Sequence, residues 1–334
     1  MRCKLGDISE ITKLAGYEFT KYIKYIPDGE IIAVRALNLK NGALVLDDIQ
    51  RISKEVSETL PRSQLHKNDI VLSYTGTLGE CAQIREDGKY HLAPNVCKIT
   101  PNDSVVNPNF LFQYIRCEKF KQTLINYAHG STQPTIPMST IRDIPVDIPD
   151  DLEKQGKIAA ILSILDEKIA INRAINDNLE QQAQAVFRQE LLQNGELPPN
   201  WTTGSLLDIA DYLNGLAMQK FRPVDGERGL PVLKIKELRQ GFCDYSSELC
   251  SPNIKPEFIV HDGDVIFSWS GSLLVDLWCG GTCGLNQHLF KVTSVKYPKW
   301  FYYTWTAHHL ARFVAIAADK ATTMGHIKAA PHNC

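Results

Sequence analysis

The feature that most constrains the fold is one long segment with almost no helix breakers. The stretch EKQGKIAAILSILDEKIAINRAINDNLEQQAQAVFRQELL, Glu153–Leu192, contains one glycine and no proline. Residues that suit the two ends of a helix flank it: Pro145, Pro149, Asp150 and Asp151 before it, and Gly195, Pro198 and Pro199 after it. This pattern predicts a single helix of roughly 60 Å, far longer than the usual three turns.

Along this segment, a seam of residues recurs at alternating steps of three and four. The seam residues are Leu162, Leu165, Ile169, Asn172, Asn176, Leu179, Ala183 and Val186. This is coiled-coil spacing, and asparagines in such a seam fix register and partner at some cost in stability. Because one helix cannot bury its own stripe, the seam predicts a partner helix. The alternative is that the flanking domains cover it.

A weak internal repeat lies on either side of the helix, and such repeats decide the fold. AVRALNLKNG from Ala33 matches VLKIKELRQG from Val232, and DIVLSYTGTL from Asp69 matches DVIFSWSGSL from Asp264. Two further pairs keep the same order: FLFQY with WFYYT, and GSTQPTI with ATTMGHI. The ordered matches predict two homologous domains.

Each copy of the repeat combines strand and helix patterns. DIVLSY and DVIFSW are rich in β-branched and aromatic residues and end in a turn containing glycine, which is typical of a strand. Residues Phe110–Ala128 carry apolar side chains three and four apart, which predicts a helix. The predicted fold class is therefore α/β, with two homologous mixed α/β domains joined by a long helix of coiled-coil type.

Composition places the chain among ordinary globular proteins. It has 44% hydrophobic and 22% charged residues, no run long enough to span a membrane, and no secretory signal pattern at its start. The nine cysteines show no regular spacing, which favours free thiols in a reducing cytoplasm. The formal net charge of −2 neither supports nor excludes DNA binding.

Catalytic signatures are weak throughout the sequence. There is no Glu-x-Lys of a nuclease and no P-loop. Asn107-Pro108-Asn109-Phe110 is close to a methyltransferase loop, but no glycine-rich cofactor turn precedes it, and Asn107 suits the N-cap of the following helix.

Cys279, Cys283 and His288 lack a visible fourth zinc ligand, so free thiols are the favoured interpretation. No cofactor, metal site or catalytic residue is predicted, and the chain is predicted not to be an enzyme by itself.

The central segment carries a resemblance to a known family. EKQGKIAAILSILDEKI and LEQQAQAVF are very similar to the central conserved region of specificity subunits of type I restriction–modification systems. LGDI near Leu5, SLLDIA after Trp201, and the DIVLS and GSTQPTI blocks resemble the target-recognition domains of that family. The resemblance extends over nearly the whole chain.

The resemblance implies a function, a set of partners and a domain plan. Two target-recognition domains each read half of a split double-stranded DNA site, and long helices set the spacing and bind adenine methyltransferase subunits, with which a restriction motor can associate. The implied domains are residues 1–149, the conserved helix at 150–195, and residues 196–334. Because KAAPHNC follows the second repeat where a second conserved helix is expected, we expect the second domain to be truncated and that helix to be absent. Self-association through the central helix would then supply the missing helix.

Equivalent loops of the two copies are expected to face DNA. Arg, Lys, Asn, Gln, Ser and Thr read base edges and phosphates. The candidates in the first copy are Arg35, Lys40, Asn41, Tyr74, Thr75, Thr77, Ser131, Thr132 and Gln133. The candidates in the second copy are Lys234, Arg239, Gln240, Trp269, Ser270, Ser272, Thr322 and Thr323. Gly76, Gly271, Asp69 and Asp264 suit a role in the shared fold instead.

A rival hypothesis assigns the same domains and helix to a scaffold that mediates assembly without binding DNA. The neutral net charge favours that rival slightly, whereas the repeat and the helix motif favour the DNA-specificity subunit.

Overall fold

The structure is a computed structural model that describes residues 1–130, 133–191 and 201–319. Residues 318 and 319 are described by their backbone alone. The chain forms two compact units, Met1–Ile175 and Asn176–Cys334. The division falls inside the long helix, so the domain boundaries 1–149, 150–195 and 196–334 stay a prediction. Residues 192–200, with Gly195, and residues 320–334 lie outside the described residues.

Unit 1 alternates short strands with helices. Its strands are β1 Arg2–Lys4, β2 Ser9–Lys13, β3 Ile31–Val34, β4 Leu39–Lys40, β5 Ala43–Leu44, β6 Gln50–Ile52, β7 Gln64–Leu65, β8 Ile70–Ser73, β9 Cys81–Gln83, β10 Tyr90–Leu92, β11 Val96–Pro101 and β12 Pro145–Asp147. Its helices are α1 Leu5–Ile8, α2 Gly16–Tyr22, α3 Lys54–Thr59, α4 Pro108–Arg116, α5 Glu118–Asn126, α6 Met138–Asp143 and the first part of α7 Leu152–Leu191.

Unit 2 holds the remainder of α7 and a second set of elements. The strands are β13 Asp211–Asn214, β14 Leu230–Leu233, β15 Leu249–Cys250, β16 Ile259–Val260, β17 Val265–Ser268, β18 Leu274–Leu277, β19 Cys283–Leu285 and β20 Leu289–Thr293. The helices are α8 Leu206–Ile209, α9 Ile235–Gln240, α10 Lys299–His308 and α11 Leu310–Asp319.

The two units share their sheet topology, which confirms the predicted repeat. In unit 1 one sheet has the order β2-β11-β8-β9 and another the order β6-β3-β10-β7. Unit 2 repeats both, as β13-β20-β17-β18 and β15-β14-β19-β16. In the second sheet named for each unit, the two central strands run parallel: β3 with β10 in unit 1, and β14 with β19 in unit 2. The fold is therefore a mixed α/β architecture present twice, with α7 contributing to both units.

The strands predicted from DIVLSY and DVIFSW are buried on both faces. In β8, Ile70 and Leu72 pack into the core that includes α4 and α5, whereas Val71 faces the core between the two sheets. β17 repeats this alternation: Val265 and Phe267 lie in one core cluster and Ile266 in another. Since neighbouring side chains of a strand point to opposite faces, a strand covered on both sides needs a continuous apolar run.

The turns before these strands use an aspartate in the same way. The Asp69 carboxylate accepts a hydrogen bond from the His66 backbone N–H at 2.7 Å. The Asp264 carboxylate accepts one from the His261 backbone N–H at 2.8 Å. Both aspartates thus stabilise the shared fold, as their position in the repeat indicates.

The helix predicted over Phe110–Ala128 is wrong as a single element, because two helices occupy this region. α4 ends at Arg116, and Cys117 adopts an extended conformation with ψ 147° before α5 begins. The break turns the chain so that apolar side chains of both helices, among them Ile115 and Leu124, are fully buried in one core cluster. The predicted cap at the start of α4 is confirmed, since Asn107 Oδ1 accepts a hydrogen bond from the Phe110 N–H at 3.1 Å.

The long helix is confirmed as α7, a 40-residue helix over Leu152–Leu191. Asp151 caps its start, because its Oδ1 accepts a hydrogen bond from the Glu153 N–H at 2.8 Å. Within the described residues, no helix combines the length and apolarity that crossing a bilayer requires.

A buried glutamine fixes the first turns of α7 to unit 1. Gln155 is fully buried; its Oε1 accepts from the Asn107 N–H at 2.8 Å and its Nε2 donates to the Pro149 carbonyl at 2.7 Å. Removal of this side chain would leave two backbone groups without their partner, and an unpaired buried polar group costs about 1–3 kcal/mol.

We expect Gln155→Ala to lower the free energy of unfolding of unit 1 by about 1–3 kcal/mol. Urea denaturation followed by circular dichroism reports on both units, whereas the five tryptophans, all at position 201 or beyond, report on unit 2 alone. The transition seen by circular dichroism should shift and that seen by fluorescence should not. Gln181→Ala, at an exposed position of the same helix, is the matched control. If the circular dichroism transitions of the Gln155→Ala and Gln181→Ala variants coincide, the role of Gln155 is contradicted.

Candidate nucleic-acid interface and helix surface

A basic residue occupies the same position after β3 and β14 and is held by a carboxylate in each unit. Arg35 Nη2 pairs with Asp48 Oδ1 at 2.9 Å, and Lys234 Nζ pairs with Glu248 Oε1 at 2.5 Å. The hydrogen bond from Lys234 holds the pKa of the Glu248 carboxyl below its usual value. Both cations keep some exposed surface, so they combine a structural ion pair with a position at the surface. Whether they contact DNA stays a prediction.

Two of the three predicted DNA segments of unit 1 border one surface groove. The groove has a volume of ≈ 510 Å³. Among the residues that line it are the candidates Arg35, Thr75 and Thr77. The structure therefore brings together side chains that are about 40 positions apart in the sequence.

The third predicted segment joins the same region through backbone and side-chain hydrogen bonds. The Ile136 N–H donates to the Tyr74 carbonyl at 3.0 Å, and Thr75 Oγ1 and Thr135 Oγ1 lie 2.8 Å apart. Gln133 is exposed beside this bridge. Ser131 and Thr132 lie outside the described residues. In unit 1 the described residues of the three predicted segments thus lie close together.

The remaining unit 1 candidates differ in exposure. Lys40 and Asn41 are exposed in the tight turn between β4 and β5. Tyr74 is half-buried against the core, burial raises the pKa of its hydroxyl, and the Lys13 ammonium lies 5.4 Å from its ring centroid. Lys40 and Asn41 therefore offer more surface to a ligand than Tyr74 does.

In unit 2 the structure joins two of the predicted segments directly. Arg239 Nη1 donates to Ser272 Oγ at 3.3 Å, and both residues are exposed. Gln240 Nε2 donates to the Phe242 carbonyl at 2.6 Å, so part of its amide is used within the turn after α9.

The turn after β17 places its candidates closer to the core. Trp269 is half-buried, and its Nε1 donates to Asn214 Oδ1 at 3.1 Å. Ser270 is 4% exposed, with its hydroxyl 3.3 Å from His288 Nδ1. Little of Ser270 is left for direct contact with a ligand, although its DNA role stays a prediction. Thr322 and Thr323 lie outside the described residues.

Several exposed residues beside these candidates were missed from the sequence. Tyr25, Leu37 and Asn95 also line the unit 1 groove, with Leu37 54% exposed. In unit 2, Phe242 and Tyr245 are exposed just after Gln240. Leu37 lies within AVRALNLKNG and Phe242 directly follows VLKIKELRQG, so proximity to the repeat blocks was the available signal.

The residues weighed as a zinc site have unlike environments. Cys279 is exposed, whereas Cys283 is fully buried, and a hydrogen bond with Cys243 together with burial raises the pKa of its thiol. His288 lies against Trp269 and Ser270 instead. In the portion of the chain with described side chains, no group of three or more His, Cys, Asp or Glu residues is placed to hold a metal ion.

The adjacent histidines near the end of unit 2 take part in aromatic packing. His308 and His309 lie 5.7 Å and 6.1 Å from the ring of Trp305, measured between ring centroids. Burial lowers the pKa of His309. Both histidines therefore pack among aromatic side chains.

The seam of α7 is exposed in both units. Leu165 and Ile169 in unit 1 are 52% and 49% exposed, and Leu179 and Val186 in unit 2 are 56% and 59% exposed. The described residues of each unit therefore leave its part of the seam uncovered, and covering by the flanking domains is not what the structure shows. A partner helix stays a prediction.

Both units nevertheless hold the helix at other positions. In unit 1, Ala159 is buried and Gln113 Nε2 donates to Asp166 Oδ2 at 2.7 Å. In unit 2, Phe187 is 7% exposed, and its ring centroid lies 5.1 Å from that of Trp305. These contacts anchor α7 within each unit, and the seam residues stay exposed between them.

Comparison with known proteins identifies a family for this chain. A family model described as the type I restriction modification DNA specificity domain matches residues 1–181, more than half of the 334 residues. The chain belongs to this family.

Individual relatives are distant. The type I restriction enzyme EcoBI specificity subunit of Escherichia coli is 24% identical over 179 residues, which cover 53% of this chain and 37% of that one. The MjaIX specificity subunit of Methanocaldococcus jannaschii is 26% identical over 218 residues, which cover 60% of this chain and 48% of that one. The chain thus spans less than half the length of these two relatives.

One solved structure that aligns with this chain is the S subunit of a type I restriction–modification system from M. genitalium. It aligns with a TM-score of 0.49 and 14% sequence identity, and the alignment covers 98% of this chain and 83% of that chain.

Proposed function

We propose that the chain is a DNA-specificity subunit without catalytic activity of its own. In this proposal each unit reads one half of a bipartite duplex site. The seam of α7 binds adenine methyltransferase subunits, and through them a restriction motor, or pairs with the same helix of a second copy. Because its target is chromosomal or invading DNA, the subunit would act in the cytoplasm.

The observation that carries this proposal is the repetition of one recognition architecture. Both units have the same two sheet orders, and both place a basic residue and a polar turn at equivalent positions. The residues at these positions differ between the units, for example Arg35 against Lys234. Similar folds with different contact residues suit the reading of two different half-sites.

The surface chemistry of unit 1 supports DNA as the ligand. The groove includes guanidinium, hydroxyl and amide groups beside apolar side chains, and the polar groups can donate to phosphates and to base edges. Leu37 adds an exposed apolar side chain beside Arg35, which suits contact with a thymine methyl group.

A salt titration of duplex-DNA binding tests the proposal against the scaffold hypothesis. We expect the logarithm of the binding constant to fall linearly with the logarithm of salt concentration, because phosphate contacts release counterions. The substitution pair Lys40→Gln and Arg239→Gln should reduce the steepness of this dependence. A chain that binds no duplex at low salt, alone or with a methyltransferase subunit, would favour the scaffold.

A further inference from the structure

The turn between β4 and β5 carries two predicted DNA contacts and has the backbone of a tight hairpin turn. Asn41 and Gly42 adopt φ values of 53° and 81°, in the left-handed region. The side chains of Lys40 and Asn41 are exposed. The turn is therefore a tight element with both side chains at its surface, and its orientation decides where they point.

One side of this turn is held by Glu80. The Glu80 Oε2 atom accepts a hydrogen bond from the Asn41 backbone N–H at 3.0 Å. Its Oε1 atom pairs with the Lys121 ammonium of α5 at 2.7 Å. Gly42 also forms an isolated bridge with Ala82 of β9. The turn is thus tied to β9 and to α5.

The guanidinium of Arg116 covers the other side of the turn. A Cβ atom placed on Gly42 would lie 3.0 Å from Arg116 Cζ and 3.0 Å from its Nε, so the guanidinium lies directly against the turn backbone. The same group is 5.5 Å from the centroid of the Phe112 ring. Its flat shape fits between ring and turn in a way that a lysine ammonium cannot reproduce.

Asp166 of α7 fixes the guanidinium in this place. Arg116 Nη1 pairs with Asp166 Oδ2, and Gln113 Nε2 donates to the same oxygen at 2.7 Å. Both charged side chains are partly buried, with 28% of Arg116 and 36% of Asp166 exposed. A chain of contacts therefore runs within unit 1 from α7 through Asp166 and Arg116 to the turn.

We propose that Arg116 and Asp166 are positioning residues for DNA recognition by unit 1, which fasten the β4–β5 turn to α7. They need not touch DNA themselves. They hold Lys40 and Asn41 in one orientation, so that little conformational freedom is lost when the turn binds. This inference rests on the proposed function for its DNA consequence, whereas the fastening of the turn can be measured without DNA.

The first test is hydrogen exchange of the free chain, measured by mass spectrometry. Arg116→Gln and the isosteric Asp166→Asn should both accelerate exchange in residues 40–44 about tenfold, because each removes one contact of the chain. Arg62→Gln is the matched control, since Arg62 forms an exposed ion pair with Glu18. Unchanged exchange in residues 40–44 for both test variants would overturn the proposal, as would equal acceleration in the control.

The second test measures DNA affinity with a duplex selected from a random pool by the unchanged chain. Arg116→Gln and Asp166→Asn should weaken binding about tenfold, the loss expected from one misplaced base contact. Binding to a duplex with a scrambled first half-site, and the salt dependence on that duplex, should stay the same. Arg116→Lys should restore only part of the loss, because the ammonium keeps the charge but not the flat contact.

The outcomes separate this inference from the proposed function. If the unchanged chain selects no duplex, the proposed function fails and hydrogen exchange alone decides the fastening of the turn. If it selects a duplex and both variants keep the full preference for it, the positioning role is refuted. If Arg116→Gln fails to fold, Asp166→Asn still gives both readouts.

Discussion

Replacement of Leu165 and Leu179 together by glutamate is expected to abolish the association of the chain with methyltransferase subunits and with its own copies. Both leucines are more than half exposed on α7, so the substitutions should leave each unit folded. Each leucine buried in an interface contributes on the order of 1.5–3 kcal/mol, and a charge buried there without a partner costs more. The expected loss of affinity is at least about a thousandfold.

Co-purification and analytical ultracentrifugation measure this effect. Glutamates at Ala174 and Gln181 are the matched control, because both residues are exposed and lie roughly opposite the seam at 100° per residue. The control should assemble normally. If the unchanged chain stays monomeric at high concentration and binds no methyltransferase subunit, the seam has another role. If the leucine variant assembles as well as the control, the interface lies elsewhere.

Exchange of the first domain for that of a relative is expected to change one half of the recognised DNA site completely and to leave the other half unchanged. The structure sets the junction for this experiment. β1 pairs with β12, with Cys3 opposite Val146, so a junction at residue 145 would separate the strands of one sheet. A junction after residue 149 keeps the pair intact. The incoming domain must also provide partners equivalent to Gln113 and Arg116 for Asp166.

Selection of duplexes from a random pool reads the outcome of the exchange. The modular account requires that the selected half-sites change independently. A chimera whose two selected half-sites both differ from the original would contradict it. Hydrogen exchange over β17 serves as the folding control, since unit 2 is unchanged in the chimera.

Local sequence patterns predicted the regular elements closely where one physical signal dominated. The near absence of helix breakers between Asp151 and Gln193 predicted the start of α7 to within one residue, and the helix extends to Leu191, the last described residue before position 201. Continuous apolar runs after Asp69 and Asp264 predicted β8 and β17 because both strands are covered on two faces. The repeat was visible because shared turns keep the same chemistry, as the aspartates at these two positions do.

The errors arose where tertiary packing overrides periodicity. The apolar spacing from Phe110 to Ala128 continues through Cys117, and only the need to bury both halves in one core explains the break. The environment of Ser270 could not be foreseen either, because it is buried and its hydroxyl contacts His288, which lies 18 positions further along the chain. Pairs such as Arg116 with Gly42 unite residues more than 70 positions apart, and no local pattern marks them.

The candidate site was predictable as segments more than as individual contacts. The repeat selected the three segments whose described residues lie close together in unit 1, since equivalent turns should perform equivalent roles. It could not separate side chains held by ion pairs, such as Lys234, from freely exposed ones, such as Lys40. The groove residues Tyr25 and Leu37 were missed because adjacency in the groove comes from the fold.

The most direct test of the account is to map methylated adenines in DNA from cells that express this chain with a cognate type I methyltransferase subunit. The account predicts methylation within one split motif, with two defined blocks separated by a gap of fixed length. Deletion of the chain should remove this methylation, and the Leu165 and Leu179 variant should do the same. Adenine methylation whose sequence pattern is independent of the chain, while the chain is folded and bound to the methyltransferase, would contradict its role in specificity.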